Sequence, residues 1–96
     1  MSEALILEFD GVTAEQYDEI NSALGIDMDT GEGDWPSGLL SHTGCSGERF
    51  VVFEVWDSRG SQEAFMGSRL GPALGKVGVP EPSRAEWLTL AGHHSR

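Results

Sequence analysis

The longest apolar run in the chain is Phe50-Val51-Val52-Phe53-Glu54-Val55-Trp56, and its β-branched and aromatic residues read as a strand. Alternation places Phe50, Val52 and Trp56 on one side, with Glu54 among them, and Val51, Phe53 and Val55 on the other. Both sides are apolar, so the strand needs cover on both. A chain of 96 residues does not easily supply two covers, so a second subunit is expected. Asp57-Ser58-Arg59-Gly60 reads as a turn, with a helix from about Ser61.

The same pattern assigns the rest of the chain. Residues 4–9 form a first strand, with Leu5, Leu7 and Phe9 on one face and Ala4, Ile6 and Glu8 on the other. Thr13 and Gln16 make a capping box, and Tyr17, Ile20 and Leu24 then recur at helical spacing until Gly25 stops the helix. Residues 27–38 are an acidic, glycine-rich loop with no helical or strand period, long enough to cover an opening, and its Trp35 is expected against the body. Residues 39–43 read as a second strand, joined to the Phe50 strand by a turn at residues 44–47. Phe65, Met66, Arg69, Leu70, Ala73, Leu74 and Val77 form the stripe of a second helix, which Pro72 should kink or split. Gly67, Gly71 and Gly75 recur on it every four residues: either a bare strip for close approach or a locally weak helix. Residues 84–90 give the fourth strand.

The order β-α-β-β-α-β predicts one domain over residues 1–96, an α+β ferredoxin-like fold with a four-stranded antiparallel sheet and both helices on one face. The other sheet face would be bare, and a two-fold homodimer, sheet against sheet, is the simplest way to cover it.

Charge narrows the partners. The net charge is −10, and residues 1–48 hold eleven acids and no Lys or Arg. Such a surface repels phosphate backbones and anionic membranes, so neither nucleic acid nor a membrane is an expected partner. The single Cys45 allows no intrachain disulfide, which makes a reducing, cytoplasmic setting the default. Neither a secretion signal nor a membrane-spanning run is read in the chain.

Strand order across nearly the whole chain, together with Glu54-Val55-Trp56-Asp57-Ser58-Arg59 followed by Gln62-Glu63-Ala64-Phe65-Met66-Gly67-Ser68, resembles the dimeric α+β barrel superfamily. The similarity is in particular to antibiotic biosynthesis monooxygenase domain proteins. The resemblance implies a pocket between sheet and helices and chemistry without a cofactor on quinols or other aromatic compounds. It also covers haem-degrading enzymes, lactone isomerases and members with no known reaction. Many relatives carry a histidine early in the second helix, where this chain has Phe65.

Against that background, His42 and Glu54 are the candidates to move protons, while Tyr17, Trp56, Phe65 and Arg69 are the candidates to line a small-molecule site. A neutral His42 suits a general base, and it equally suits a hydrogen-bonded structural role. Glu8 and Glu54 sit on neighbouring strands and could form a coupled carboxylate pair, or be separate ion pairs with Arg84 or Arg69. Tyr17 and Arg69 could hold a phenol, carboxylate or quinone oxygen, or simply pack, and Trp56 and Trp87 could stack on a ligand or anchor the core. Haem ligation by His42 is a weaker reading. Asp27-x-Asp29-x-Gly31 fails the calcium-loop register, because Glu32 stands where the glycine is needed. His93 and His94 are adjacent and make poor co-ligands, so no metal site is assigned. Cys45, placed in a turn, has no nearby cation to activate it. Two functions follow: a homodimeric, monooxygenase-like protein binding a small aromatic ligand, or a non-catalytic ligand-binding or accessory dimer.

Overall fold

A computed structural model describes residues 2–94, so Ser95 and Arg96 of the polar tail lie outside the described residues. The four strands are β1 (Glu3–Phe9), β2 (Leu39–Ser46), β3 (Phe50–Trp56) and β4 (Arg84–Thr89). They form one antiparallel sheet in the order β2-β3-β1-β4. The helices are α1 (Ala14–Leu24), α2 (Arg59–Phe65) and α3 (Gly71–Val77), the last two joined by a π-helical turn over Met66–Leu70. The expected α+β ferredoxin-like arrangement is what the chain adopts.

Local chemistry explains the boundaries. Thr13 caps α1 by accepting from the Gln16 amide, Gln16 reaches back to Thr13, and Gly25 ends the helix at φ 77°. α2 begins earlier than the expected Ser61, because Ser58 is its N-cap and accepts from the Ser61 amide. Arg59 and Gly60 are therefore helical rather than part of a turn. Pro72 does split the long helix. It stands in the first turn of α3, where its missing N–H costs little, and the Gly71 amide bonds back five residues to Met66. A Cβ on Gly71 would lie 2.9 Å from the Met66 carbonyl, so glycine is needed there. Gly67 and Gly75 face open space, and no described part of this chain packs on the glycine strip.

The second strand is longer than its sequence suggests. β2 runs to Ser46, so Cys45 pairs with Val51 in the ladder and is exposed rather than sitting in a turn. Its polar residues and Gly44 hide the strand from a hydrophobicity pattern; pairing with β3 overrides that weak propensity.

The core lies between the sheet and the helices. Leu5, Leu7 and Phe9 of β1 and Phe50, Val52 and Trp56 of β3 meet Ile20, Phe65, Leu70, Ala73 and Leu74. The opposite sheet face carries no helix. There Ile6 and Val51 are half-buried, while Phe53 and Leu88 are 38% and 41% exposed. Among the described residues no helix is long and apolar enough to cross a membrane.

Candidate functional site

The register decides which charged groups can meet. Glu54 is opposite Leu5 on the helix-covered face, whereas Glu8 is opposite Val51 on the open face. The two carboxylates therefore point to opposite sides of the sheet and do not form a coupled pair. Glu8 is instead held by Arg84 at 2.5 Å and by Arg49 at 3.5 Å, and Arg84 also bonds Glu86. Bonding to Arg84 is the main reason its carboxyl group is held below the ordinary range.

Glu54 is 5% exposed among apolar side chains, and two donors satisfy it. Trp56 Nε1 donates to Oε1 at 3.0 Å, and His42 Nδ1 meets Oε2 at 2.7 Å. Each donor takes a separate oxygen, the arrangement a carboxylate accepts and the one that offsets burying it. The second imidazole nitrogen, Nε2, lies 2.5 Å from the Tyr17 hydroxyl. With the proton of a neutral imidazole fixed on Nδ1 by Glu54, Nε2 is the acceptor and Tyr17 the donor. Residues from α1, β2 and β3 thus form one chain of hydrogen bonds, Tyr17–His42–Glu54–Trp56. Both imidazole nitrogens are engaged, so no lone pair of His42 is turned outward for a haem iron.

The positions follow from the elements. His42 is directly opposite Glu54 in the β2–β3 ladder, so their side chains share a face. Tyr17 reaches His42 because Gly44, the next inward position of β2, has no side chain. A Cβ there would stand 2.7 Å from the phenol Cζ. The Tyr17 and His42 rings lie parallel, with centroids 5.9 Å apart, and Tyr17 also packs on Phe50 at 4.8 Å. Burial pushes the Tyr17 phenol above its ordinary 10.0; the neighbouring Asn21 amide works against this, and the charge of Glu54 adds to it.

These groups border a cavity of about 50 Å³ whose other walls include Leu7, Phe9, Ile20, Val52 and Leu74. That is room for a few waters at about 10–15 Å³ each, or for part of a ring system. Tyr17, His42, Glu54 and Phe65 all line it. Trp56 and Arg69 do not. Trp56 is fully buried behind Glu54 and acts on the site through that carboxylate. Arg69 bonds the Leu24 and Asp34 carbonyls, pairs with the Asp34 carboxylate at 3.3 Å and lies over the Phe65 ring. It fastens the loop of residues 27–38 to the body.

That loop contributes Trp35 and Pro36 to the cavity wall. Trp35 is half-buried, as expected; its indole donates to the Gly31 carbonyl and its ring lies edge-on to His42, with centroids 6.0 Å apart. At the loop's outer turn Asp27 accepts from the Asp29 and Thr30 amides. Among the described residues no three His, Cys, Asp or Glu side chains gather as a metal site. The residue that sequence reasoning overlooked is Asn21, also on the wall. Its signal was present: it follows Tyr17 by four positions on the apolar stripe of α1.

Among solved structures, the chain is similar to a candidate antibiotic biosynthesis monooxygenase from Chloroflexus aurantiacus J-10-fl, with 18% identity over 99% of this chain and 98% of that one and a TM-score of 0.66. The fold is that of the antibiotic biosynthesis monooxygenases. SnoaB, a cofactor-independent oxygenase from Streptomyces nogalater, is similar at 10% identity over 96% and 95% of the two chains, with a TM-score of 0.64. A monooxygenase from the gene ActVA-Orf6 of Streptomyces coelicolor, solved with nanaomycin D, is similar at 20% identity over 99% and 90%, with a TM-score of 0.55. No family description matches the chain, and no curated protein matches its sequence. The likeness is one of fold, carried by the path of the chain rather than by shared residues.

Proposed function

We propose that this protein binds a small hydroxylated aromatic molecule between its sheet and helices and acts on it as a cofactor-independent, monooxygenase-like enzyme. The observation that carries the reading is the Tyr17–His42–Glu54 chain opening on a cavity that is otherwise apolar. The other walls are largely apolar, so the hydrogen-bonded chain is the defined route for a proton. A ligand hydroxyl seated beside Tyr17 gives its proton to the phenol oxygen as the Tyr17 proton passes to His42 Nε2. The resulting imidazolium is held by the Glu54 carboxylate, and the electron-rich ligand oxyanion is left for dioxygen to oxidise. Two fold neighbours support this reading, one a cofactor-independent oxygenase and one solved with nanaomycin D. Phe65, packed on Trp56 with centroids 5.8 Å apart, favours the second reading, a binding protein without turnover.

Oxygen consumption with an aromatic quinol separates the two. Tyr17→Phe, His42→Ala and Glu54→Gln should each lower the rate by about 10²–10⁴-fold. Unchanged rates in all three, or no turnover by the parent protein, would leave only binding.

The same proposal includes a homodimer in a soluble, cytoplasmic setting. Phe53, Leu88, Ile6 and Val51 give the open sheet face an apolar centre, which a second copy would cover. Sedimentation should show a dimer, and Phe53→Glu should shift it to monomer.

A further inference from the structure

The side chain of Asn21 breaks two local rules at once. Asparagine is a poor residue for a helix interior, and its Nδ2 is buried with no hydrogen-bond partner, the only such side-chain atom among the described residues. The residue is 6% exposed and lies on the cavity wall. Leaving a donor unsatisfied costs stability that an apolar residue would not forfeit. Such a violation points to a group kept for binding rather than for folding.

The neighbouring phenol shows which chemistry the amide faces. The Tyr17 proton is committed to His42, so the Tyr17 oxygen offers only lone pairs to the rest of the cavity. Asn21 follows Tyr17 by one turn on the same side of α1, and its Nδ2 makes no hydrogen bond to the phenol. The cavity thus presents one free donor beside one proton acceptor, both carried by α1 at i, i+4.

We propose that Asn21 is the specificity residue of this cavity, its Nδ2 donating to a carbonyl or oxyanion oxygen of the ligand while the adjacent Tyr17 oxygen receives a ligand hydroxyl. The inference rests on the cavity being a ligand site. It adds that the preferred ligand carries a proton-free acceptor oxygen next to its hydroxyl. Such an oxygen takes up the negative charge that develops when the hydroxyl is deprotonated, so the amide stabilises the oxyanion as well as choosing the ligand.

The test compares acetophenone with ethylbenzene, which differ by the carbonyl oxygen, by NMR titration of the parent protein, Asn21→Leu and Asn21→Ala. Relative to ethylbenzene, acetophenone should bind about tenfold more weakly in both variants than in the parent protein. A ratio unchanged in both overturns the role of Asn21. Binding of neither ligand by the parent protein overturns the cavity reading itself, and the inference with it. Folding is checked separately: Asn21→Leu should melt at or above the parent temperature, because an unsatisfied donor is removed. A clear loss of stability would mean that the amide has a structural partner, and would also overturn the proposal. The chain has one tyrosine, so its ultraviolet titration reports Tyr17 alone. In Asn21→Leu it should titrate at higher pH than in the parent protein, and an unchanged curve counts against the assigned geometry.

Discussion

Glu8 and Glu54 sit on adjacent strands, each interrupting an apolar pattern, and the two sheet faces treat them in opposite ways. Glu8 faces the open side and meets Arg84 and Arg49, whose side chains are about half exposed. Glu54 faces the helices and meets only neutral-side-chain donors, an indole and an imidazole, in a dry wall. A cation beside Glu54 would have neutralised it and ended its use. An indole and a histidine satisfy its lone pairs while leaving its charge free to hold a protonated His42. The difference comes from strand register alone: Leu5, the partner of Glu54, is three positions from Glu8 on β1, so the two carboxylates face opposite sides, and a slip of one position would bring them to the same face.

The covered face should be far the more sensitive to change. Trp56→Ala removes a fully buried ring and should cost about 3–5 kcal/mol, a large share of the stability of a domain this size. Trp56→Phe keeps most of the ring and removes the donor to Glu54. It should cost about 1–3 kcal/mol through the unsatisfied carboxylate oxygen. Denaturant midpoints measure both. Equal losses in the two variants would mean that ring volume is unimportant and would contradict the packing described for the core.

A sharper version uses neighbours on one strand. Gly44 faces inward against Tyr17, whereas Cys45 is exposed on the far side of β2. Gly44→Ala should cost about 1–3 kcal/mol by overpacking and push the phenol from His42. As the ring leaves its buried place, its titration should move back toward the ordinary 10.0. Cys45→Ala, one position on, should change neither property. If both substitutions behave alike, the assignment of faces along β2 is mistaken.

The fold was more legible than the site. Strand order followed from alternation and from loops rich in glycine and proline. The start of α1 followed from Thr13 and its capping box, and the break in the long helix from Pro72, whereas the Ser58 cap that starts α2 was read as part of a turn. What alternation could not show was partnership at right angles to the chain. The Glu8–Glu54 pairing failed because adjacent strands need not present their exceptional residues to the same face. Arg69 fell on the inward stripe of its helix, yet two carbonyls and Asp34 draw its head group to the 27–38 loop. Asn21 passed unnoticed because a lone amide on an apolar stripe acquires meaning only once Tyr17 is seen with its proton committed to His42.

The smallest expected effect belongs to the open face and appears only in acid. The folded-state pKa of Glu8 is held below its unfolded value near 4.5, first by its bond to Arg84. A depressed carboxylate contributes stability that is fully present above the unfolded value and is lost as the pH falls through the folded one. Glu8→Gln should therefore be slightly less stable than the parent protein at neutral pH, and the two should converge below about pH 4.5. Because the arginines are half exposed, added salt should shrink the neutral-pH difference. Glu54→Gln is the internal contrast: its partners are shielded from solvent, so the same salt should leave its effect almost unchanged. Denaturant midpoints for both variants, measured across pH and ionic strength, test the two faces together. Equal salt sensitivity at the two positions would refute the claim that one carboxylate is held in water and the other in a dry wall.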